Sequence, residues 1–225
     1  VLALQPQVIF TTAMEAALAR TVQETLGIPV IVLSCGEFAS FDSTMYQALR
    51  IAGRVLGRES RAEAVVQFIE AQRRDLTART ANIPLERRPR AYAGGIGYRG
   101  SRGIESSLQR YLPLDWAGSR NAADDVAAGS GSHVVIDREA LLRLDPAVIF
   151  IDGGGLELVR ADYQRRPPVY RSLRAFTSKR VHVLLPFNFY ATNIGTALAN
   201  TWAVGKTLYP ARFADIDPAV KADEI

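Results

Sequence analysis

The chain reads as an α/β protein of two lobes with parallel-stranded sheets, joined by a single long helix. Three observations carry that expectation. The pattern L-x-L-x-P-x-V-I-F occurs twice, at residues 2–10 and 142–150. Residues 8–33 run strand, helix, strand with short loops between them. From Glu59 to about Thr80, apolar residues such as Ala62, Val65, Val66, Ile69 and Leu76 recur at three- and four-residue spacing. In each repeat copy the leucines read as the last turn of a helix and the proline as its stop. Proline lacks the N–H donor, and its ring crowds the preceding turn. The triplet after it is short and β-branched, which suits a strand covered on both faces.

In the first lobe, Val8–Phe10 is expected as a strand and Glu15–Leu26 as a helix with Ala16, Ala17, Leu18, Val22 and Leu26 on its apolar face. Gly27 is its stop. Ile28–Leu33 follows as a strand, with Pro29 tolerated at its start. Short β-α-β loops imply parallel pairing and a right-handed crossover. Ser43 caps a helix that begins near Thr44 and is interrupted at Gly57. The next helix, about 22 residues and about 33 Å long, is long enough to bridge two lobes. The expected division is residues 1–54 for the remainder of an N-terminal lobe, 55–83 for the interlobe helix and 84–225 for the C-terminal lobe.

In the second lobe, Arg90–Ala93 is a strand that leads into the glycine-rich stretch Gly94–Gly100. Residues 101–132 read as polar loop, with a helix near Ile104–Tyr111 and a flexible turn at Ala127–Ser132. Val134–Ile136 is the next strand candidate. Asp137 caps the helix Arg138–Leu144. Val148–Ile151 is a strand that ends in the loop Asp152–Gly155, Val181–Leu185 is another strand, and Thr192–Leu208 is the helix that closes the lobe.

Composition narrows the function. Hydrophobic residues at 48% and charged residues at 22% fit a packed globular chain. No apolar run approaches the roughly 18 residues that span a bilayer. The net charge of +4 is spread along the chain, with no basic block, so nucleic acid is not an expected partner. Cys35 is the only cysteine, which excludes an internal disulfide and a multi-cysteine metal site. His133 and His182 are the only histidines; His182 reads as a core residue, and no metal site is expected. No Ser-His-Asp set or close carboxylate pair can be assembled, so the chain is expected not to be an enzyme.

Gly95–Gly100 is a literal G-x-G-x-x-G. Three readings stand beside one another. A dinucleotide loop should open a helix and meet an acidic residue about 20 positions later; Gly100, Gly103 and Pro113 oppose that helix. A plain surface turn is the second reading. The third is a loop lying close to a ligand, presenting Tyr98, Arg99 and Arg102. Arginine forks suit carboxylate, catecholate or phosphate groups, whereas Arg73, Arg74, Arg165 and Arg166 read as solvated surface charge. Asp152, Asn188 and Tyr190 stand in loops at strand ends, as do Thr11–Met14 and Cys35–Phe38. Open parallel sheets bind ligands at the carboxyl ends of their strands.

The two repeat copies, Gly53-Arg54-Val55-Leu56-Gly57-Arg58, the stretch Gly94–Ser106 and the run from Pro186 through Asn188, Tyr190 and Asn193 to Tyr209-Pro210 resemble one family. This family comprises the substrate-binding proteins of bacterial ABC importers for ferric siderophores, haem and cobalamin. The resemblance covers nearly the whole chain, and the stretch from Pro186 to Tyr209-Pro210 also looks like an iron-chelate subgroup. It implies a non-catalytic, monomeric receptor, periplasmic or membrane-anchored outside the cell. Such a receptor captures a ferric chelate, siderophore or haem, in an interlobe cleft, carries no cofactor of its own and delivers the ligand to an ABC permease. Tyr98, Arg99, Arg102, Asn188, Tyr190 and Asp152 would hold the ligand, and Glu139 would dock the permease. The resemblance also implies that the chain is N-terminally truncated, with the first lobe's docking glutamate upstream of Val1. A continuous bridging helix has no hinge and implies a small opening motion. The alternatives are a dinucleotide-binding α/β enzyme using the Gly95–Gly100 loop and an interaction module with an empty cleft.

Overall fold

The first repeat copy opens a small β-α-β unit. In the computed structural model, which describes residues 2–12, 14–34, 43–97, 99–126, 133–189 and 191–225, residues 1–70 form one compact unit and residues 71–225 another. In the first unit a 3-10 turn at Leu2–Leu4 precedes β1 (Ile9–Thr11), α1 (Ala16–Leu26) and β2 (Val30–Val32). β1 and β2 pair in parallel, Ile9 opposite Val30 and Phe10 opposite Ile31. Gly27 ends α1 as expected, at φ +66°, and its N–H donates to the Gln23 carbonyl at 2.8 Å. α2 (Ser43–Val55) buries Met45, Tyr46 and Ala48, and its Arg50 pairs with Glu63 at 2.8 Å. α3 (Glu59–Thr80) is continuous for 22 residues and crosses the division between the units.

The second unit is built on a four-stranded parallel sheet of order β5-β3-β7-β8. Its strands are β3 (Arg90–Gly94), β5 (Arg120–Asn121), β7 (Val148–Asp152) and β8 (Val181–Leu184). Every β7 residue is buried, with β3 on one side and β8 on the other. Burial of successive residues, which point to opposite faces, means that both faces are covered, as the unbroken Val-Ile-Phe-Ile run requires. β4 (Ser106–Leu108) and β6 (His133–Val135) form a separate antiparallel pair, and α4 (Leu112–Trp116) starts with Pro113 in its first turn. α5 (Arg138–Leu144) begins as expected at the Asp137 cap, whose carboxylate accepts the Ala140 N–H at 2.7 Å.

After β7 come α6 (Leu156–Arg165), α7 (Pro167–Arg171) and α8 (Arg174–Thr177). β8 leads to the hairpin β9 (Asn188–Phe189) and β10 (Ala191–Thr192), then to α9 (Ile194–Leu208) and α10 (Pro218–Glu224). α9 begins two residues later than expected, because Asn193 is its cap and Thr192 belongs to the hairpin. The second half of α3 is fixed inside this unit. Gln72 accepts the Trp202 indole N–H at 2.8 Å, and the Arg79 fork grips Asp215 at 2.6 and 2.9 Å beneath the Trp202 and Phe213 rings.

One expected element is wrong. Residues 104–111 do not form a helix; Ser106–Leu108 is a strand. The hydroxyls of Ser106 and Ser107 donate to the carbonyls of Ile96 and Ala93, at 2.6 and 2.7 Å, tying this segment to β3 and the loop after it. Serine side chains that bond to backbone in this way compete with a helix. Nor is 101–126 a solvated loop: Ile104, Leu108, Tyr111, Leu114, Ala122 and Ala123 are all core residues.

Candidate functional site

The site is assembled at the carboxyl edge of the four-stranded sheet. Three parallel strands, β3, β7 and β8, deliver three loops there. Two glycines let the loops touch. A Cβ on Gly155 would lie 2.4 Å from the carbonyls of both Arg102 and Gly95, and one on Gly97 would lie 2.9 Å from the Asn188 carbonyl. Real Cβ atoms do not approach backbone so closely, so these positions require glycine. The Gly95–Arg102 loop is thereby laid across the Asp152–Gly155 loop at one point and the Asn188 loop at another.

Of the residues singled out from sequence, the fold brings Arg102, Asp152 and Asn188 together on touching loops. Arg99 and Arg102 are exposed, and Arg99 takes φ +51°, rare for a residue with a side chain. Asp152 and Asn188 are buried. Asp152 Oδ1 accepts the Gly154 N–H at 2.8 Å, while Oδ2 has no partner among the described residues. Burial lifts this carboxyl to about 6, against the opposing pull of the Gly154 N–H. Asn188 Oδ1 accepts from the Thr192 hydroxyl at 3.1 Å, which orients its amide; Nδ2 has no partner among the described residues. Tyr98, Tyr190, Cys35–Phe38 and Ala127–Ser132 lie outside the described residues.

The G-x-G-x-x-G does not open a helix. The described residues between β3 and β4 contain none, and the next element is a strand that turns back antiparallel to β6. The phosphate-facing helix N-terminus that a dinucleotide site needs is missing from that position.

Glu139 is exposed on the first turn of α5. The helix runs antiparallel to β7. Its last carbonyl, at Leu144, accepts from Arg90 at the start of β3, while Arg138 pairs with Glu105 at 2.9 Å beside the end of β3. Glu139 is therefore at the same edge of the sheet as the three loops.

Sequence reasoning missed two residues here. From sequence, His133 reads only as a poorly supported metal ligand. Its Nε2 lies 2.9 Å from Ser106 Oγ, whose single proton is committed to Ile96, so the imidazole is the donor. Burial and the neighbouring Arg102 both lower its basicity. Tyr111 falls in the expected helix 104–111, which the structure replaces with a strand and the cap of α4. It is fully buried, its ring 5.7 Å from that of Phe187, and burial together with the charge of Asp152 lifts its hydroxyl well above the usual phenol range. The histidine would have been found by pairing residues 106–108 with 133–135; nothing in the sequence marks Tyr111.

Three strands of this parallel sheet thus bring the loops that follow them to one edge. Residues 1–186 match the family described as periplasmic binding protein, and the chain belongs to that family. It is 23% identical over 237 aligned positions to the molybdate-binding protein MolA of Haemophilus influenzae, covering 96% of this chain and 64% of that protein. Among solved structures, a periplasmic solute binding protein from Veillonella parvula superposes with a TM-score of 0.76 at 19% identity, over 100% of this chain and 66% of that one. A periplasmic haem binding protein from Pseudomonas aeruginosa superposes with a TM-score of 0.63 at 25% identity, over 93% and 74%. The chain thus spans about two thirds of the first two relatives.

Proposed function

We propose that this chain is the ligand-holding part of an extracytoplasmic receptor, which captures an iron chelate (siderophore or haem) and delivers it to an ABC permease. The observation that carries the reading is the carboxyl edge of the four-stranded sheet. Two exposed arginines, Arg99 and Arg102, stand on a loop that is laid over buried Asp152 and Asn188. Arginine forks at the rim suit the acidic groups of a chelate, and the buried polar groups below suit its orientation. Tyr98 and Tyr190 belong to the same two loops by sequence and would stack on the ligand or reach its iron. The likeness to the haem binding protein supports this choice. In this reading Glu139, exposed at the same edge, meets the permease; the receptor acts as a monomer, outside the cytoplasm, without a cofactor or catalysis.

A second reading is favoured by one finding. The relative MolA is named for molybdate, and an arginine pair also suits an oxyanion. Calorimetric titration with a ferric trihydroxamate, a ferric catecholate, haemin and sodium molybdate separates the two. Micromolar or tighter binding of a ferric chelate is expected. Binding of molybdate alone would replace the first reading with the second, and silence from all four compounds would end both.

A further inference from the structure

Three buried polar atoms of the second unit have no hydrogen-bond partner among the described residues and belong to one neighbourhood: Asp152 Oδ2, Asn188 Nδ2 and the Tyr111 hydroxyl. Asp152 and Asn188 are 3% and 6% exposed and Tyr111 is 1% exposed. Their connection is visible in the packing. The Tyr111 ring lies on Phe187, the residue before Asn188. The Asn188 carbonyl meets Gly97, two residues from Gly95, and Gly95 in turn meets the Asp152 carbonyl. The Asp152 charge is felt at the Tyr111 hydroxyl. An orphaned buried donor or acceptor forfeits its bond to water and gains none in return. Two on loops that already meet at one edge of the sheet, and a third whose ring packs on Phe187 beside them, call for an occupant.

We propose that Asp152, Asn188 and Tyr111 form a polar subsite that takes a group of the ligand able both to donate and to accept a hydrogen bond. This inference rests on the receptor reading and narrows its substrate class. Asn188 Nδ2 offers a proton, so the group must accept. Asp152 Oδ2 offers lone pairs, so the group must also donate. Tyr111 serves in either sense. A hydroxyl or amide on an oxygen-rich chelate satisfies all three. Molybdate, a dianion without a proton at neutral pH, presents acceptors only, and Asp152 would repel it. Tyr111 is thus a binding residue, and the subsite selects donor-bearing chelates over bare oxyanions.

The competing explanation is a buried water that already satisfies the three groups. Two measurements on the wild type and on Tyr111→Phe, Asp152→Asn and Asn188→Ala decide. The first is the thermal midpoint without ligand. The subsite predicts Tyr111→Phe to be unchanged or higher, since the hydroxyl has no bond to lose. A fall of several degrees would show that it is bonded inside the free protein, and would overturn the proposal. The second is affinity for a ferric trihydroxamate with amide N–H groups, compared with sodium molybdate. Losses of about tenfold or more for Asp152→Asn and Asn188→Ala, and a smaller loss for Tyr111→Phe, are expected with the chelate. Unchanged affinity in all three variants sinks the subsite and leaves the receptor reading standing. Wild-type binding of molybdate but not the chelate also sinks it. Binding of neither probe, with haemin and a ferric catecholate silent as well, removes the receptor reading and the subsite together.

Discussion

The two copies of L-x-L-x-P-x-V-I-F fold into unequal versions of one motif. In the first, the leucines sit in a 3-10 turn with Leu4 83% exposed, and the strand is three half-buried residues paired only with β2 among the described residues. In the second, the leucines belong to the seven-residue helix α5, and the strand runs five residues with every position from Val148 to Ile151 no more than 1% exposed. The local pattern sets the kind of element and its order. Neighbours on both sides set its length and burial, and β7 has two where β1 has one. The residues that follow differ as well: Asp152 is buried at the carboxyl end of β7, and its counterpart Thr12 is exposed.

The largest test of that contrast is the matched aromatic. Phe150→Ala is expected to cost about 3–5 kcal/mol, the range for a fully buried phenylalanine. Phe10→Ala, at a half-buried position, is expected to cost less than half of that. Chemical denaturation followed by a separate probe in each unit measures both. Equal losses would mean that β1 is as well covered as β7.

Asp152 gives the next largest effect, and it has a pH signature. The folded carboxyl holds its proton up to about 6, whereas an ordinary aspartate releases it near 3.8. Between those values the folded state binds more protons than the unfolded chain, so stability falls as pH rises from about 4 to about 6. Asp152→Asn is expected to flatten that slope and to raise stability at pH 7 by about 3 kcal/mol, while weakening ligand binding. Thr12→Asn, in the other copy, is expected to leave the slope unchanged. Denaturation midpoints at pH 4, 5, 6 and 7 check this. A slope that survives in Asp152→Asn contradicts it.

The smallest effect is at the cap of α5. Asp137→Ala removes the carboxylate that accepts the Ala140 N–H and is expected to cost about 1 kcal/mol. The 3-10 turn of the first copy has no helix of comparable length to lose, so Gln5→Ala, at its end, is expected to be neutral within error. Thermal melts of the two variants compare them.

Much of this was legible because it is local. The bounds of α3 and α5, the Gly27 stop and the Asp137 cap follow from periodicity and end chemistry over a few residues. Arg102, Asp152 and Asn188 could be placed near one another because parallel strands put their carboxyl ends on one edge. What failed was non-local. Ser106–Leu108 becomes a strand only by pairing with residues 133–135 and by bonding its serines to β3 and its loop, and neither interaction leaves a mark on the segment itself. The surroundings of Tyr111 and His133 depend on the same non-local contacts, with the Phe187 ring and the Ser106 hydroxyl.

The most direct test of the central claim is calorimetric binding of a ferric hydroxamate and of haemin to the wild type and to the double variant Arg99→Ala, Arg102→Ala. Ligand capture at the carboxyl edge of the second unit predicts that the wild type binds one of them, and that the double variant binds it at least about tenfold more weakly. Equal affinity in the two proteins, or no binding of either compound by the wild type, would contradict it.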